Sequence, residues 1–190
     1  ARVLGLDQYL DVITSSEFRN SVWVTVRFVL ITVPSSIVLG ILLAALGNQH
    51  LRGIRIFRTV FASTIATSLA VASMLWIVLF EPTTGVLNHL LEALGQDPVD
   101  VLGNRRTALI GVSLATVWQN LGLVFVVTIA AMQSIPDVLH ESARIDGHGA
   151  ASRFAWITLP LLGPQLLFLT VVLTIGSFQT FAQIEKLAEF

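Results

Sequence analysis

Four long apolar stretches constrain this chain more than any other feature of its sequence. They cover about residues 21–47, 57–80, 107–133 and 159–184, and a charged residue, Glu81, follows the second. A helix needs about 20 apolar residues to cross the hydrocarbon core of a bilayer, where every backbone polar group must be bonded internally. The pattern therefore predicts an all-α integral membrane protein, with four transmembrane helices forming one domain over residues 1–184.

Composition supports a membrane location and excludes several classes of function. The chain is 54% apolar and only 12% charged, whereas a soluble domain carries about 25% charged residues. Its 11 basic and 12 acidic residues nearly cancel, so there is no basic field for binding nucleic acid. The absence of cysteine excludes disulfides, thiol nucleophiles and thiolate metal sites.

The loops between the stretches differ in their charge. Residues 48–58 carry three arginines and no acid, whereas residues 81–106 carry four acids and two arginines. Cytoplasmic loops are enriched in Lys and Arg, so we expect residues 48–58 to be cytoplasmic. With four spans, residues 137–153 then lie on the same side, and both ends of the chain lie outside.

Prolines and small residues within the spans predict bends and close contacts. We expect kinks at Pro34, Pro160 and Pro164, because proline bends a helix. A membrane helix tolerates the bend, since neighbouring helices can bond to the backbone groups that it leaves unpaired. Small residues recur at helical spacing in the first span (Ser36, Gly40, Ala44) and in the second (Ala62, Ala66, Ala70, Ser73). Such stripes predict packing seams between helices, with a subunit interface as the alternative.

Residues 134–158 are the most informative polar segment of the chain. Ser134 and Asp137 have capping-box spacing, and Pro136 is tolerated in a first helical turn, so a helix should begin there. Apolar residues at spacings of three and four continue as far as Gly147, where the helix should stop. A second helical stretch follows Gly149 and approaches the membrane at Pro160. The segment predicts a stiff helix-turn-helix between the third and fourth spans.

This segment also carries a motif. The run ESARIDG at residues 141–147, followed by Phe154, Ile157, Leu159, Pro160 and Pro164, resembles the EAA signature of importer permeases of the ATP-binding cassette class. Ser142 and His148 stand where alanines are more usual. Residues 133–139, 80–88, 5–9 and 176–181 are similar to the carbohydrate branch, the first permease subunit of the maltose and glycerol-phosphate type. The resemblance covers about residues 5–184.

The resemblance implies a fold, a location and partners. It implies the middle four of six helices in a multi-pass permease of the bacterial inner membrane, carrying a sugar or sugar-like solute. Expected partners are a second permease subunit, an ATPase dimer, an extracytoplasmic solute-binding protein and membrane lipids. Residues 134–158 are then expected to be the coupling loop that contacts the ATPase, called the coupling segment below. The residues expected to couple to the ATPase are Glu141, Ser142, Ala143, Asp146, Gly147, Leu159 and Pro160. Residues 185–190 do not continue the family pattern and are expected to be a non-native tail.

ATP chemistry is expected in a partner. The chain has no G-x-x-x-x-G-K-[ST] loop, and its one lysine is Lys186. We therefore expect no enzyme activity and no bound cofactor in this chain, with ATP and Mg²⁺ used by the ATPase. The His140-Glu141 pair lacks the second histidine of a zinc-protease motif, because Arg144 stands in its place, so no metal site is expected.

Polar residues at membrane depth are candidates for a solute path. Gln119 and Asn120 lie near the middle of the third span, and Gln179 and Gln183 lie one turn apart on the fourth, next to Phe178. Amides could bond to solute hydroxyls while aromatic rings stack on sugar faces. The alternative is that these amides form hydrogen bonds between helices. For function as a whole, the alternatives are a permease for amino acids or peptides and a helical membrane assembly without ATP coupling.

Overall fold

The computed structural model describes residues 13–49 and 52–179, and every regular element within them is helical. This confirms the all-α fold class. Two single turns join neighbouring helices, a 3₁₀ turn at Thr64–Ala66 and a π turn at Phe154–Thr158. The α-helices are α1 (Ser16–Gly47), α2 (Ile54–Ser63), α3 (Leu69–Phe80), α4 (Val86–Ala93), α5 (Arg105–Gln133), α6 (Asp137–Ile145), α7 (Ala150–Arg153), α8 (Leu159–Leu161) and α9 (Gly163–Phe178).

Helices α1 and α5 are the two continuous spans of the described chain. Ser16–Gly47 and Thr107–Gln133 are each long and apolar enough to cross a bilayer. They pack side by side and run in the same direction, because Phe28 clusters with Val112 near one end and Ala44 clusters with Ile129 near the other. This pair forms the centre of the fold.

The small-residue stripe of the first span is a packing seam within this chain. Ser36, Gly40 and Ala44 are buried against α5. A Cβ at residue 40 would lie 2.7 Å from the Cβ of Val124, so only glycine permits this approach. A Cβ at Gly47 would similarly lie 2.9 Å from the Phe125 ring. The predicted seam in the first span is therefore confirmed.

The second apolar stretch is broken, a feature that the sequence analysis did not predict. Ile54–Ala66 and Leu69–Phe80 meet at 108°. Thr67 is extended, with φ −81° and ψ 122°, and the Ser68 hydroxyl oxygen caps α3 by accepting from the Val71 amide at 3.3 Å. The interruption means that Ala62, Ala66, Ala70 and Ser73 do not share one helical face. The seam predicted for this span is wrong.

The fourth stretch bends by 64° between Ala150–Leu161 and Gly163–Phe178, close to Pro160 and Pro164. Just before it, the Leu159 amide donates to the carbonyl of Phe154, five residues earlier. Pro160 has no N–H to continue the helical ladder, so the π turn and the bend accommodate it. The kink predicted at these prolines is confirmed. Helix α1 runs through Pro34, and the kink predicted there stays a prediction. Residues 180–184 and 185–190 lie outside the described residues.

Two polar segments lie at the same end of the α1–α5 pair. Asn48, Arg55, Gln133 and Asp137 line one cleft there. The Arg58 guanidinium Nε donates to the carbonyl of Gly47 at 2.8 Å and so covers the end of α1. This agrees with the expectation that residues 48–58 and 137–153 share one side. Their cytoplasmic location stays a prediction.

Candidate solute path and coupling segment

An open cleft of about 410 Å³ lies at the break in the second span, between α5 and α9. It contains three of the five polar or aromatic residues that the sequence predicted for a solute path: Gln119, Asn120 and Gln179. Phe178 is 61% exposed and does not line the cleft, and Gln183 lies outside the described residues. The other polar side chains of the lining are Thr64, Thr67, Thr116 and Ser177.

A glycine on α5 makes room for the broken backbone. A Cβ at Gly122 would lie 2.5 Å from the Ile65 amide nitrogen and would also collide with the Thr64 hydroxyl. With only hydrogen there, the 3₁₀ turn rests directly on α5. Thr67 then lies next to Gln119, whose Nε2 donates to the Thr67 carbonyl at 3.5 Å. The break is therefore held by tertiary contacts with α5.

The two amides of α5 are weakly bonded within the protein. The Gln119 contact is long, and Asn120 Nδ2 donates to the Ser36 hydroxyl oxygen at 3.4 Å. Bonds of this length are near the limit of useful geometry. The amide oxygens of both residues have no protein partner in the part of the chain that the structure describes. The two amides thus connect helices and also face the cleft. This arrangement agrees with both sequence-based interpretations, a solute path and hydrogen bonds between helices.

A line of buried hydroxyls continues from Asn120 across α1. Ser36 Oγ donates to the Thr32 carbonyl at 2.7 Å, and Thr32 Oγ1 donates to the Phe28 carbonyl at 2.8 Å. Thr32 Oγ1 also lies 3.5 Å from Ser177 Oγ on α9. These back-bonds to the preceding turn satisfy the hydroxyls in an apolar interior. Thr32 and Ser177 carry no sequence signal that would mark them as site residues, because serine and threonine are common in membrane helices.

The coupling segment ends its first helix with a Schellman motif. Gly147 has φ +84°, the His148 amide donates to the Ala143 carbonyl at 2.9 Å, and the Gly147 amide donates to the Arg144 carbonyl at 3.1 Å. This bond pair defines the motif, which needs a left-handed residue at its turn. Gly147 therefore has a structural reason to be glycine, and the helix end predicted there is confirmed.

The start of α6 is where the sequence predicted it, but the predicted cap is wrong. Pro136 stands at the N-cap position, and α6 has no side-chain cap. The Ser134 hydroxyl instead donates to the Ala131 carbonyl at 2.8 Å, and its amide donates to the Ala130 carbonyl at 3.2 Å. Ser134 thus finishes α5 and is not available to begin α6.

Most of the predicted coupling residues lie on an open surface. Glu141, Ser142, Asp146 and Gly147 are exposed, as are Leu159 and Pro160 near the membrane, whereas Ala143 is buried. The apolar side chains of Val138 and Ile145 are 65% and 86% exposed. The carboxylates of Glu141 and Asp146 have no hydrogen-bond partner among the described residues. This helix therefore presents both apolar and acidic groups outward.

The loop after α3 is organised by one carboxylate. Glu81 accepts from the backbone amides of Thr84 and Thr83 at 2.6 and 2.9 Å, and from both threonine hydroxyls. The Thr84 amide bond, followed by the hydroxyl bonds, lowers the pKa of Glu81 below its ordinary value of 4.5. Asn88 is buried and bonds to Val99 in both directions, at 2.9 and 3.2 Å. Residues 80–88, which resemble the carbohydrate branch, therefore include the two side chains that stabilise this loop.

Comparison with known proteins identifies the family. A model of the binding-protein-dependent transport system inner membrane component family matches residues 13–189. The chain belongs to this family. Its membership confirms the predicted class of transport permease, and the family's description names the predicted location, the inner membrane.

Individual relatives agree with the predicted branch. The chain is 37% identical over 186 residues to the sn-glycerol-3-phosphate transport system permease protein UgpA of Escherichia coli O157:H7. It is 33% identical over 178 residues to the trehalose/maltose transport system permease protein MalF of Thermococcus litoralis. These alignments cover 97% and 94% of this chain, but only 63% and 60% of the relatives. The chain thus spans less than two thirds of the length of these proteins.

Solved structures share the fold. A bacterial ABC transporter involved in the import of the acidic polysaccharide alginate contains a chain that matches with a TM-score of 0.84 at 24% identity. The match covers 97% of this chain and 65% of that one. The same type of transporter in complex with an alginate pentasaccharide-bound periplasmic protein matches with a TM-score of 0.77. At this identity the likeness concerns the fold alone.

Proposed function

We propose that this chain is part of the transmembrane permease subunit of an ATP-driven importer, and that it forms a translocation path for a sugar or sugar-like solute. A solute-binding protein outside the membrane delivers the solute. Support comes from family membership and from relatives named for glycerol-3-phosphate and trehalose/maltose transport. A related fold has been solved together with a periplasmic protein that holds a pentasaccharide.

One observation carries this proposal. A single helix, α5, both lines the polar cleft through Gln119 and Asn120 and leads directly into the exposed helix α6. About 20 Å of helix separates Asn120 from Gln133, at 1.5 Å per residue. Only residues 134–136 then intervene before α6 begins at Asp137. A force applied at α6 therefore reaches the cleft through one rigid element.

Coupling follows from this connection. The ATPase subunit binds the segment from Asp137 to Leu159, with Glu141, Ser142, Asp146 and Gly147 on its contact surface. Ala143 packs beneath them, and Pro160 joins the segment to the fourth span. ATP and Mg²⁺ bound by the ATPase drive its closure, which moves α6 and tilts α5. The second permease subunit completes the path, and the two subunits rock to expose it alternately on either side.

Copurification tests this proposal against an assembly that is not coupled to ATP. The full-length permease, its partner permease and the ATPase are expressed together with either Glu141→Lys or Glu92→Lys. Both residues are exposed glutamates, but Glu141 lies on α6, whereas Glu92 lies on α4, in the region between α3 and α5. We expect Glu141→Lys to reduce ATPase recovery and solute uptake by about tenfold or more, and Glu92→Lys to leave ATPase recovery unchanged. Normal ATPase binding and uptake with Glu141→Lys would contradict the proposal.

The solute class needs a separate measurement. The ligand of the purified solute-binding protein is identified by mass spectrometry and calorimetry, and its uptake is then measured in proteoliposomes. A sugar or another polyhydroxy ligand agrees with the proposal. An amino acid or peptide ligand would keep the transporter class and reject the sugar assignment.

A further inference from the structure

We infer that the solute carried through the cleft is uncharged, which distinguishes this chain from a carrier of phosphorylated or acidic sugars. The inference rests on the proposed function and adds the charge class of its solute. None of the described residues that line the cleft is acidic, basic or a histidine. Moving an ion out of water without a counter-charge is far costlier than moving a hydroxyl group that finds hydrogen bonds.

No nearby cation supplies that counter-charge within the described chain. Residues 28–47, 107–133 and 163–178, which surround the cleft, contain no charged side chain. Arg27 precedes the first of these stretches, but its guanidinium lies 4.9 Å from the centre of the Trp23 ring and is not part of the lining. An anionic solute would therefore meet only neutral dipoles from the described residues that line the cleft.

The neutral dipoles themselves favour hydroxyl donors over anions. The Thr64 hydroxyl donates to the Phe61 carbonyl at 3.0 Å. Its proton is thus used by the preceding turn, and an oxygen lone pair remains for the cleft. The free amide oxygens of Gln119 and Asn120 add two more acceptors. Lone pairs accept from sugar O–H groups but repel phosphate and carboxylate oxygens.

A cation is disfavoured for a different reason. Acceptor oxygens could bond to an ammonium group, but no described lining residue provides a carboxylate to balance its charge. Amide side chains combine acceptors with N–H donors, which matches the dual character of an alcohol. The lining thus suits a polyhydroxy solute without ionised groups.

Three matched sugars test the inference in proteoliposomes that contain the complete transporter and its binding protein. They are one disaccharide with a –CH₂OH group, its uronic acid and its amino derivative, each supplied above its dissociation constant for the binding protein. We expect the neutral sugar to be taken up at least tenfold faster than either ion. A binding protein that accepts only the neutral sugar also supports the inference. Equal or faster uptake of an ion, or a binding protein selective for an ion, would overturn it and leave the importer function intact.

A charge placed in the cleft gives an independent readout. Asn120→Asp changes an amide to a carboxylate of nearly the same shape, and Gln133→Glu makes the matching change on α5 outside the cleft. We expect the first variant to lower uptake of the neutral sugar about tenfold with normal assembly, and the second to have no effect. Unchanged uptake with Asn120→Asp would overturn the inference. Uptake of no sugar by the unaltered transporter would reject the proposed function, and the inference with it.

Discussion

Gly122 on α5 lies directly against the backbone of Ile65, at the point where the second span breaks. A Cβ at residue 122 would be only 2.5 Å from the Ile65 amide nitrogen. Two residues after Ile65, Thr67 is extended, and its carbonyl accepts a hydrogen bond from Gln119. This contact connects the shape of the second span to the polar wall of the cleft.

Gly122→Ala should therefore weaken both the fold and transport. The added methyl group meets backbone atoms that cannot rotate away, and overpacking of this kind costs about 1–3 kcal/mol. We expect a lower thermal unfolding temperature of the purified complex and slower solute uptake. Gly163→Ala is the control, because a Cβ there has no heavy atom within 4 Å. Equal unfolding temperatures for the two variants would show that the contact is looser than described.

Gly40 and Val124 should behave as a coupled pair. Gly40→Ala forces its methyl group against the Val124 side chain. We expect destabilisation of about 1–3 kcal/mol for the single variant, and partial recovery when Val124→Gly removes the obstructing side chain. A double-mutant cycle on unfolding should give a coupling energy of about 1 kcal/mol or more. Strictly additive effects would mean that the two residues do not share this contact.

The two interpretations of the cleft amides make opposite predictions for leucine variants. If Asn120 and Gln179 bond to the solute, Asn120→Leu and Gln179→Leu should reduce uptake about tenfold while the permease still copurifies with its partners. Gln133→Leu on the same α5 helix serves as the control. Loss of assembly in Asn120→Leu would instead favour a bond between helices as the main role of this residue.

The Glu81 loop should respond to acid in a defined range. Because hydrogen bonds lower the pKa of Glu81 in the folded loop, its stabilising effect is fully present above the ordinary value of 4.5 and is lost as the pH falls below that value. The amide chemical shift of Thr84 should titrate with a midpoint below 4.5 and stay constant from pH 8 to 5. The shift should lack this titration in Glu81→Gln. A midpoint at or above 4.5 would contradict the bonding described.

The sequence predicted the two continuous helices that are long and apolar enough to cross a bilayer, Ser16–Gly47 and Thr107–Gln133, because hydrocarbon imposes a length and a composition on such helices. It also predicted Gly147 as the end of α6, since a left-handed turn leaves few alternatives to glycine. It did not predict the break before Leu69, because residues 64–68 contain neither glycine nor proline. The cause lies in another helix, where Gly122 leaves room for the turn. The residues around the break therefore do not by themselves indicate this contact with Gly122.

The residues of the candidate site were also predicted only in part. Gln119 and Asn120 stood out because amides are costly in a membrane, and the structure brings them to one cleft with Gln179. The hydroxyls of Thr64, Thr32 and Ser177 did not stand out, because each residue type is ordinary in a membrane helix. Their importance comes from position, which depends on the break and on the packing of α1 between α5 and α9.

The measurement that most directly tests coupling through α6 is ATP hydrolysis stimulated by the loaded binding protein in Gly147→Val and Gly149→Val. Gly147 has φ +84°, which a β-branched residue avoids, whereas Gly149 has φ −69° and ψ 169°, which valine readily adopts. We predict that Gly147→Val retains basal hydrolysis but loses most of the stimulation, and that Gly149→Val keeps both. Full stimulation in Gly147→Val, or equal loss in both variants, would contradict coupling through α6.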